Sequence, residues 1–229
     1  MAFFCGSQAQ NVQFHYDLGH NLSKDLSNRP AVTTTVEMFK PDKWGSTFLF
    51  TDIDYKNDGA VGAYWEISRE FSITKNNGGA ATGELATGYY GNRFQHAALF
   101  GGAWNWANKD FSKTFSVQLM YKYYFKNKTT GAHPFNGFQL TEVWGLNFAK
   151  GLCSFNGFCD LWYDPNVSGK LILISEPQFW FNLNTLKGMQ GVNLSLGSEV
   201  EISNNFVWNN KGKHNKFYAI PTIAAKWTF

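Results

Sequence analysis

Residues 217–229, at the end of the chain, alternate between two faces with the period of a β-strand. One face is apolar and consists of Phe217, Ala219, Pro221, Ile223, Ala225, Trp227 and Phe229. A soluble sheet would turn such a face towards a core, whereas a transmembrane barrel would turn it towards lipid and place the aromatics at the membrane interface. The pattern favours the barrel, with Trp227 and Phe229 as membrane anchors of the closing strand.

The aromatic content is high for a chain whose mean hydropathy is negative. The 229 residues include 22 Phe, 10 Tyr and 9 Trp. A helical membrane protein would need roughly 18 consecutive apolar residues, and the sequence contains no such run. A barrel accounts for both observations, because each strand alternates between lipid and a wet interior. The net charge of +3 is too small to indicate a nucleic-acid partner.

Period-two alternation recurs along the chain and predicts an all-β protein, a single antiparallel transmembrane β-barrel of 12 strands with both termini in the periplasm. The clearest strands cover residues 12–18, 48–55, 64–73, 115–125, 153–163 and 193–202, and weaker ones lie near 31–39, 81–90, 95–106, 135–148 and 170–183. The phase is open around His96 and Glu142. Arg69 falls on an apolar face, which a bulge or a snorkelling side chain would explain.

Residues 1–9 look like the remnant of a signal peptide, because residues 7–9 form a small-x-small cleavage site. The mature protein would then begin at residue 10 or 11, and residues 10–229 would form one barrel domain. Cys5 allows a lipoprotein alternative, although Phe4 is bulky for the position before a lipidated cysteine.

Three segments resemble Tsx, the nucleoside-specific channel family of the Gram-negative outer membrane. They are Glu-Met-Phe-Lys-Pro-Asp-Lys-Trp at residues 37–44, Phe-Leu-Phe-Thr-Asp at 48–52, and Tyr-Trp-Glu-Ile-Ser-Arg-Glu-Phe-Ser-Ile at 64–73. A Tsx-like family of unknown function resembles the chain more closely. The resemblance implies a monomeric outer-membrane barrel with a narrow lumen and a substrate-binding constriction. The function expected from it is passive, selective uptake of a small polar solute, nucleoside-like by resemblance.

Acidic residues dominate the predicted lumen, where the main cations are Lys122 and Lys226. The densest group lies on four consecutive strands and consists of Glu37, Asp52, Asp54, Glu66 and Glu84. Rings of carboxylates select cations, and oxygen ligands suit calcium, so a cation-favouring constriction or a divalent-ion site is one interpretation. The other is an ordinary polar lumen, in which Tyr, Ser, Thr and water hydrogen-bond these acids.

A second predicted set places aromatic faces beside the acids; it consists of Phe48, Phe50, Tyr64, Tyr90, Phe158, Trp162 and Trp180. Stacking faces next to polar groups would suit a nucleoside or another flat or sugar-like solute. Alternatively, the rings simply fill a tapering interior.

Enzyme and metal-site motifs are missing from the sequence, so we predict a non-enzyme without cofactor or metal. Cys153 and Cys159 are roughly 20 Å apart along one strand, too far to pair, and are expected to face lipid. The predicted partners are outer-membrane lipid, a small polar solute and other outer-membrane proteins, but no nucleic acid. A non-transporting accessory subunit of a larger outer-membrane complex is the alternative function, and a barrel acyltransferase or lipase remains open.

Overall fold

The computed structural model describes residues 9–74, 77–90, 92–167 and 169–229, most of which form β-structure. The strands are β1 (Ala9–Asp17), β2 (Val32–Asp42), β3 (Gly45–Lys56), β4 (Gly59–Ser72), β5 (Gly78–Tyr90), β6 (Asn92–Arg93), β7 (Ala97–Ala107), β8 (Lys113–Tyr124), β9 (Phe135–Phe148), β10 (Cys153–Tyr163), β11 (Leu171–Ser175), β12 (Gln178–Asn182), β13 (Leu194–Asn204) and β14 (Phe217–Thr228). Helical structure is limited to α1 (Gly19–Leu22) and 3-10 turns at Lys24–Leu26, Ala149–Gly151 and Leu183–Thr185. None of the helices in these ranges has the length and apolar character needed to cross a membrane.

The strands form one closed antiparallel sheet. β1 pairs with both β2 and β14, and β9 pairs with both β8 and β10, so the ring has no free edge. β11 and β12 each pair with β10 and β13 and together form one barrel strand, whereas β6 pairs only with β5. The barrel therefore has 12 strands, as the sequence predicts. Closure gives each of the 12 barrel strands a partner on both sides, which a sheet in lipid requires.

The break between β11 and β12 results from Pro177, which has no N–H to donate to the ladder. The backbone remains bonded around it. The N–H of Glu176 donates to the carbonyl of Phe158 at 3.1 Å, and the carbonyl of Pro177 accepts from the N–H of Val200 at 3.0 Å. The adjacent strand approaches closely at Gly157, where a Cβ would lie 2.5 Å from the Glu176 carbonyl oxygen. The glycine therefore gives the interrupted strand the space that it needs.

Strand register confirms the predicted phase of the clear strands. Inward residues such as Gln13 and Met120 are fully buried, whereas outward residues such as Phe14 and Leu119 are 54% and 62% exposed. The apolar face of β14 points outwards, with Ile223 64% exposed. The outer surface is therefore an apolar band of the kind that faces lipid.

Arg69 lies on this outer face, and a side-chain contact explains its position. Its guanidinium donates to both carboxylate oxygens of Asp42, at 2.7 and 2.9 Å, and to the hydroxyl of Thr47 at 3.1 Å. Asp42 lies at the β2–β3 turn, so the arginine extends to the rim of the barrel. The irregularity between β3 and β4 lies elsewhere, between Asp54 and Tyr55, so snorkelling rather than a bulge accounts for Arg69.

The two mouths of the barrel differ. We call the mouth with residue 9 and Phe229 the terminal end and the other mouth the loop end. Long connections at residues 18–31 and 205–216 belong to the loop end, and residues 183–193 form a long connection at the terminal end. Which mouth faces the periplasm stays a prediction. Residues 1–8 of the predicted signal remnant, with Cys5, lie outside the described residues. Cys153 and Cys159 are free thiols on outward positions of β10.

The position of Phe229 on the closing strand predicts how its deletion affects insertion of the barrel into the membrane. Trp227 pairs with Val12 of β1 and Leu194 of β13, and the N–H of Phe229 donates to the carbonyl of Gln10 at 2.9 Å. Deleting Phe229 should therefore impair insertion more than it reduces the stability of barrels already assembled, because we expect its exposed ring to anchor the strand at the membrane interface. Heat-modifiable gel mobility measures insertion. Phe229→Trp, which keeps an aromatic ring, should insert normally, and normal insertion of the deletion would contradict the anchor role.

Candidate functional site: the barrel interior

Five carboxylates lie on the inner face of β2–β5, and we call them the acidic wall: Glu37, Asp52, Asp54, Glu66 and Glu84. Cross-strand pairing sets their levels. Phe50 is in register with Glu37 on one side and Glu66 on the other. Asp52 is in register with Tyr64 at the next inward level. Alternation along the strands thus brings acids and aromatic rings to one patch of the interior, as the sequence predicts.

Neutral donors hold most of the acidic wall in place. The hydroxyls of Thr35 and Thr33 donate to Asp52 and Asp54 at 2.5 and 2.6 Å. The amide of Asn11 donates to Glu37 at 2.9 Å, and the hydroxyl of Tyr64 donates to Glu66.

Glu37, Asp52, Asp54 and Glu66 still have oxygen lone pairs available for an ion or a solute, because one donor does not occupy both carboxylate oxygens. Among the described residues, no group of three or more His, Cys, Asp or Glu side chains is positioned to hold a metal ion.

Aromatic rings run along the same wall as a ladder of Phe48, Phe50, Tyr64 and Phe94. Successive ring centroids are 5.9, 5.9 and 6.1 Å apart. Phe94 comes from the connection before β7, where its N–H donates to the carbonyl of Gly88 at 2.8 Å and its ring covers that glycine. The sequence did not single out Phe94, because nothing in its local pattern shows that the connection folds inwards.

Two of the predicted aromatic residues lie on the other side of the barrel. Trp162, on β10, belongs to a buried cluster that extends from β5 to β11 and consists of Ala86, Ala97, Leu99, Met120, Tyr124, Trp162, Ile172 and Ile174. Lys122 lies 4.5 Å from the Trp162 ring centroid and donates to Gln139 at 2.6 Å. Phe158, on the same strand as Trp162, packs against the cluster. Tyr90 remains beside the acidic wall, at the end of β5, where its ring covers Gly62.

Trp180 is the centre of a separate polar group on β12–β14 and β1. Its indole N–H donates to Gln178 at 3.0 Å, and the ring, which is fully buried, lies 4.1 Å below the ammonium of Lys226. His15 meets the same ring edge-on, with centroids 6.0 Å apart, and contacts Gln13 at 2.9 Å. The predicted aromatic set is therefore distributed around the interior, and Tyr64, beside the acidic wall, packs against the same cluster as Phe158. Sequence spacing did not show this arrangement.

Arg29 reaches the interior from the long loop between β1 and β2. It donates to Asp17 and Glu201, both at 2.8 Å, and so joins two inward strands. Burial by itself would lower the pKa of the guanidinium, but Glu201 and Asp17 outweigh burial and hold its pKa above the usual value. Alternation along strands could not predict this position of Arg29, because the residue lies in a loop.

The same loop covers part of the loop end. Leu26 packs with Val207, Tyr218 and Ile220 in a buried apolar cluster, which we call the loop-end cluster. Nearby, Asp25 accepts from Lys216 at 2.6 Å, and this hydrogen bond lowers the pKa of Asp25. The loops at residues 18–31 and 205–216 therefore contact each other and pack on the inner face of β14.

The terminal end, in contrast, contains an open polar cavity of about 460 Å³. Its lining is rich in amides and hydroxyls and includes Asn147, Ser154, Asn182, Asn184, Thr185, Asn193, Ser195, Lys226 and Thr228. The volume is in the usual range for a small-molecule site. The cavity reaches Lys226 and thus the Trp180 group, so one polar route extends from the terminal end into the interior.

Solved structures share this architecture. The NanC porin superposes with a TM-score of 0.62 at 10% identity, covering 96% of this chain and 100% of that one. The KdgM porin gives a TM-score of 0.51 at 12% identity, with 96% and 99% covered. No curated protein matches the sequence.

The fold, together with the lipid-facing apolar band, defines the class: a β-barrel of the Gram-negative outer membrane with the porin fold. The chain belongs to the family described as a domain of unknown function, DUF5020, whose model matches residues 9–229. The specific likeness to Tsx stays a prediction.

The Arg29 bridge predicts a stability effect. Arg29→Met should leave Asp17 and Glu201 without their cation and reduce the free energy of unfolding by roughly 2–4 kcal/mol. Urea unfolding in detergent micelles measures the change. Arg29→Lys, which keeps the charge but cannot bridge both acids equally well, should lose less. Equal midpoints for Arg29→Met and wild type would show that the bridge contributes nothing.

Proposed function

We propose that this barrel is a passive channel for a small polar solute and that its interior favours cations over anions. The observation that supports the proposal most directly is the excess of inward carboxylates. They are Asp17, Glu37, Asp52, Asp54, Glu66, Glu70, Glu84, Asp160, Glu176, Glu199 and Glu201. Between the two mouths, the described cations that face them are Arg29, Lys122 and Lys226.

This imbalance has a physical consequence for permeation. A narrow interior with low-dielectric walls focuses the potential of its charges, so an excess of carboxylates concentrates cations and repels anions. The neutral hydroxyl and amide donors around the acidic wall stabilise the carboxylates without cancelling their charge. The porin fold of the similar structures supports the same function.

Removing charge from the acidic wall should reduce selectivity. The triple variant Asp52→Asn, Asp54→Asn and Glu66→Gln keeps side-chain size while removing three negative charges. In a planar bilayer under a salt gradient, the wild-type reversal potential should show cation preference. The triple variant should lower the cation-to-anion permeability ratio about twofold or more.

Asp110→Asn is a matched control, because Asp110 is an exposed carboxylate in a turn at the terminal end. It should leave the reversal potential unchanged. Anion selectivity of the wild type would contradict the proposed role of the acidic wall. Calcium-dependent block that the triple variant abolishes would instead indicate a divalent-ion site.

The aromatic ladder supports a more specific solute class, a nucleoside-like molecule. A flat base could stack on Phe50, while the neighbouring Glu37 and Glu66 accept hydrogen bonds from amino or hydroxyl groups. The resemblance to Tsx points to the same class. The amide-rich cavity at the terminal end offers further groups that could bind a ribose-like ring.

Solute block of single channels tests this class. Adenosine should block the wild-type current more strongly than ribose, because only adenosine can stack. Phe50→Ala should weaken the adenosine block roughly 2- to 10-fold, the amount expected from the loss of one stacking contact. Phe14→Ala, which removes an outward ring, is the control. Equal block by adenosine and ribose would argue against nucleoside-like specificity.

A second candidate function is a non-transporting accessory subunit of an outer-membrane complex. The apolar packing at the loop end favours it, because Leu26 and Val207 in the loop-end cluster lie in the long loops that cover this mouth. The bilayer experiment separates the two functions, since an accessory barrel would conduct nothing in any salt.

A further inference from the structure

One acidic residue lies on the outer face far from both mouths. Glu142, on β9, is in register with the outward residues Val117 of β8 and Cys159 of β10. It is six residues from the strand end at Phe148 and seven from the start at Phe135, which places it roughly 20 Å along the strand from either end. Its carboxylate therefore lies at the depth of the hydrocarbon core.

The surroundings of Glu142 are apolar. The next outward residues on β9 are Leu140 and Trp144, and Leu119 on the adjacent strand is 62% exposed. Within the described part of the chain, no hydrogen bond or ion pair involves the Glu142 carboxylate.

A charge in this position is unfavourable against lipid, and the free-energy cost is highest near the middle of the bilayer. Among the residues that the structure describes, the other outward charge more than two residues from a strand end is Arg69, which avoids this cost by reaching the rim and binding Asp42. The side chain of Glu142 is much too short to reach either interface. A partner from outside the barrel is therefore the remaining way to stabilise the charged form of this carboxylate at its depth in the membrane.

We propose that the outer face of β8–β10 around Glu142 is a contact surface for another membrane-embedded protein, which presents an arginine or lysine to this carboxylate. A cation at hydrogen-bonding distance would offset the desolvation of the carboxylate. The surrounding Leu119 and Leu140 would provide the apolar contact area around the pair.

The outer surface itself argues against a second copy of this chain as the partner. Arg69 is the one outward cation away from the strand ends of the described residues, and Asp42 already binds it. A second copy therefore has no unpaired cation to offer at this depth. Lipid head groups lie at the membrane interfaces and do not reach the depth of Glu142. The partner that we infer is therefore a different protein. This inference does not depend on whether the barrel conducts.

Site-specific photo-cross-linking in the source cells tests the surface. A photoreactive amino acid at Leu119 or at Leu161, on either side of Glu142, should form a protein adduct. The same probe at Val36, an exposed outward residue of β2 on the opposite wall, should not. Mass spectrometry of the adduct should identify a membrane segment of another protein that contains an arginine or lysine.

Two further variants test the role of the charge. Glu142→Gln should lower the adduct yield about fivefold or more, whereas Glu142→Asp should retain most of it. In vesicles of purified barrel, Glu142→Leu should raise the denaturant midpoint, because it removes an unpaired charge from lipid. Three cross-linking results would overturn the inference: adducts that contain only lipid or this chain, an equal yield from the probe at Val36, or no effect of Glu142→Gln on the yield. In the unfolding experiment, failure of Glu142→Leu to stabilise the isolated barrel would also overturn it.

Discussion

The pairing of β1 with β14 is the contact on which the rest of the structure depends. In lipid, every backbone N–H and C=O must find a partner within the protein, and only a closed sheet provides one along both edges of every strand. Closure also assigns each residue to lipid or to the interior, because side chains alternate along each strand. The proline at position 177 is tolerated because Glu176 and Val200 keep the adjacent backbone groups bonded, and because Gly157 allows the neighbouring strand to come close.

Inside the barrel, the same alternation of side chains brings polar carboxylates and apolar aromatic rings close together. Carboxylates of the acidic wall bind neutral hydroxyl and amide donors, while the aromatic ladder places ring faces beside them. Lys122 and Lys226 lie over the rings of Trp162 and Trp180. Lys122 also interacts electrostatically with Glu66 and Glu84, and Lys226 with Glu37. The interior thus retains an excess of carboxylates around its circumference, together with these two cations, which contact aromatic rings.

The sequence predicted the class of fold and the phase of the strands well, because a period of two over a bilayer-length segment is a strong local signal. The strand containing Met120 and Leu119 is an example, with one residue fully buried and its neighbour largely exposed. Phase was open around Glu142, where the pattern includes a charge on the apolar face; register with Val117 and Cys159 resolved it. Arg29 and Phe94 could not be found in this way, because they act from connections whose path local periodicity does not encode.

The sequence by itself determined that this chain forms an all-β barrel with acids and aromatics inside and an apolar band outside. It did so because the choice between lipid and interior is made residue by residue along each strand. Only the tertiary structure decided which inward residues meet. It placed Trp180 beside Lys226, and it placed Phe50 between Glu37 and Glu66. The physical reason is that such neighbours are set by inter-strand register and ring closure, which depend on hydrogen bonds between segments far apart in the chain.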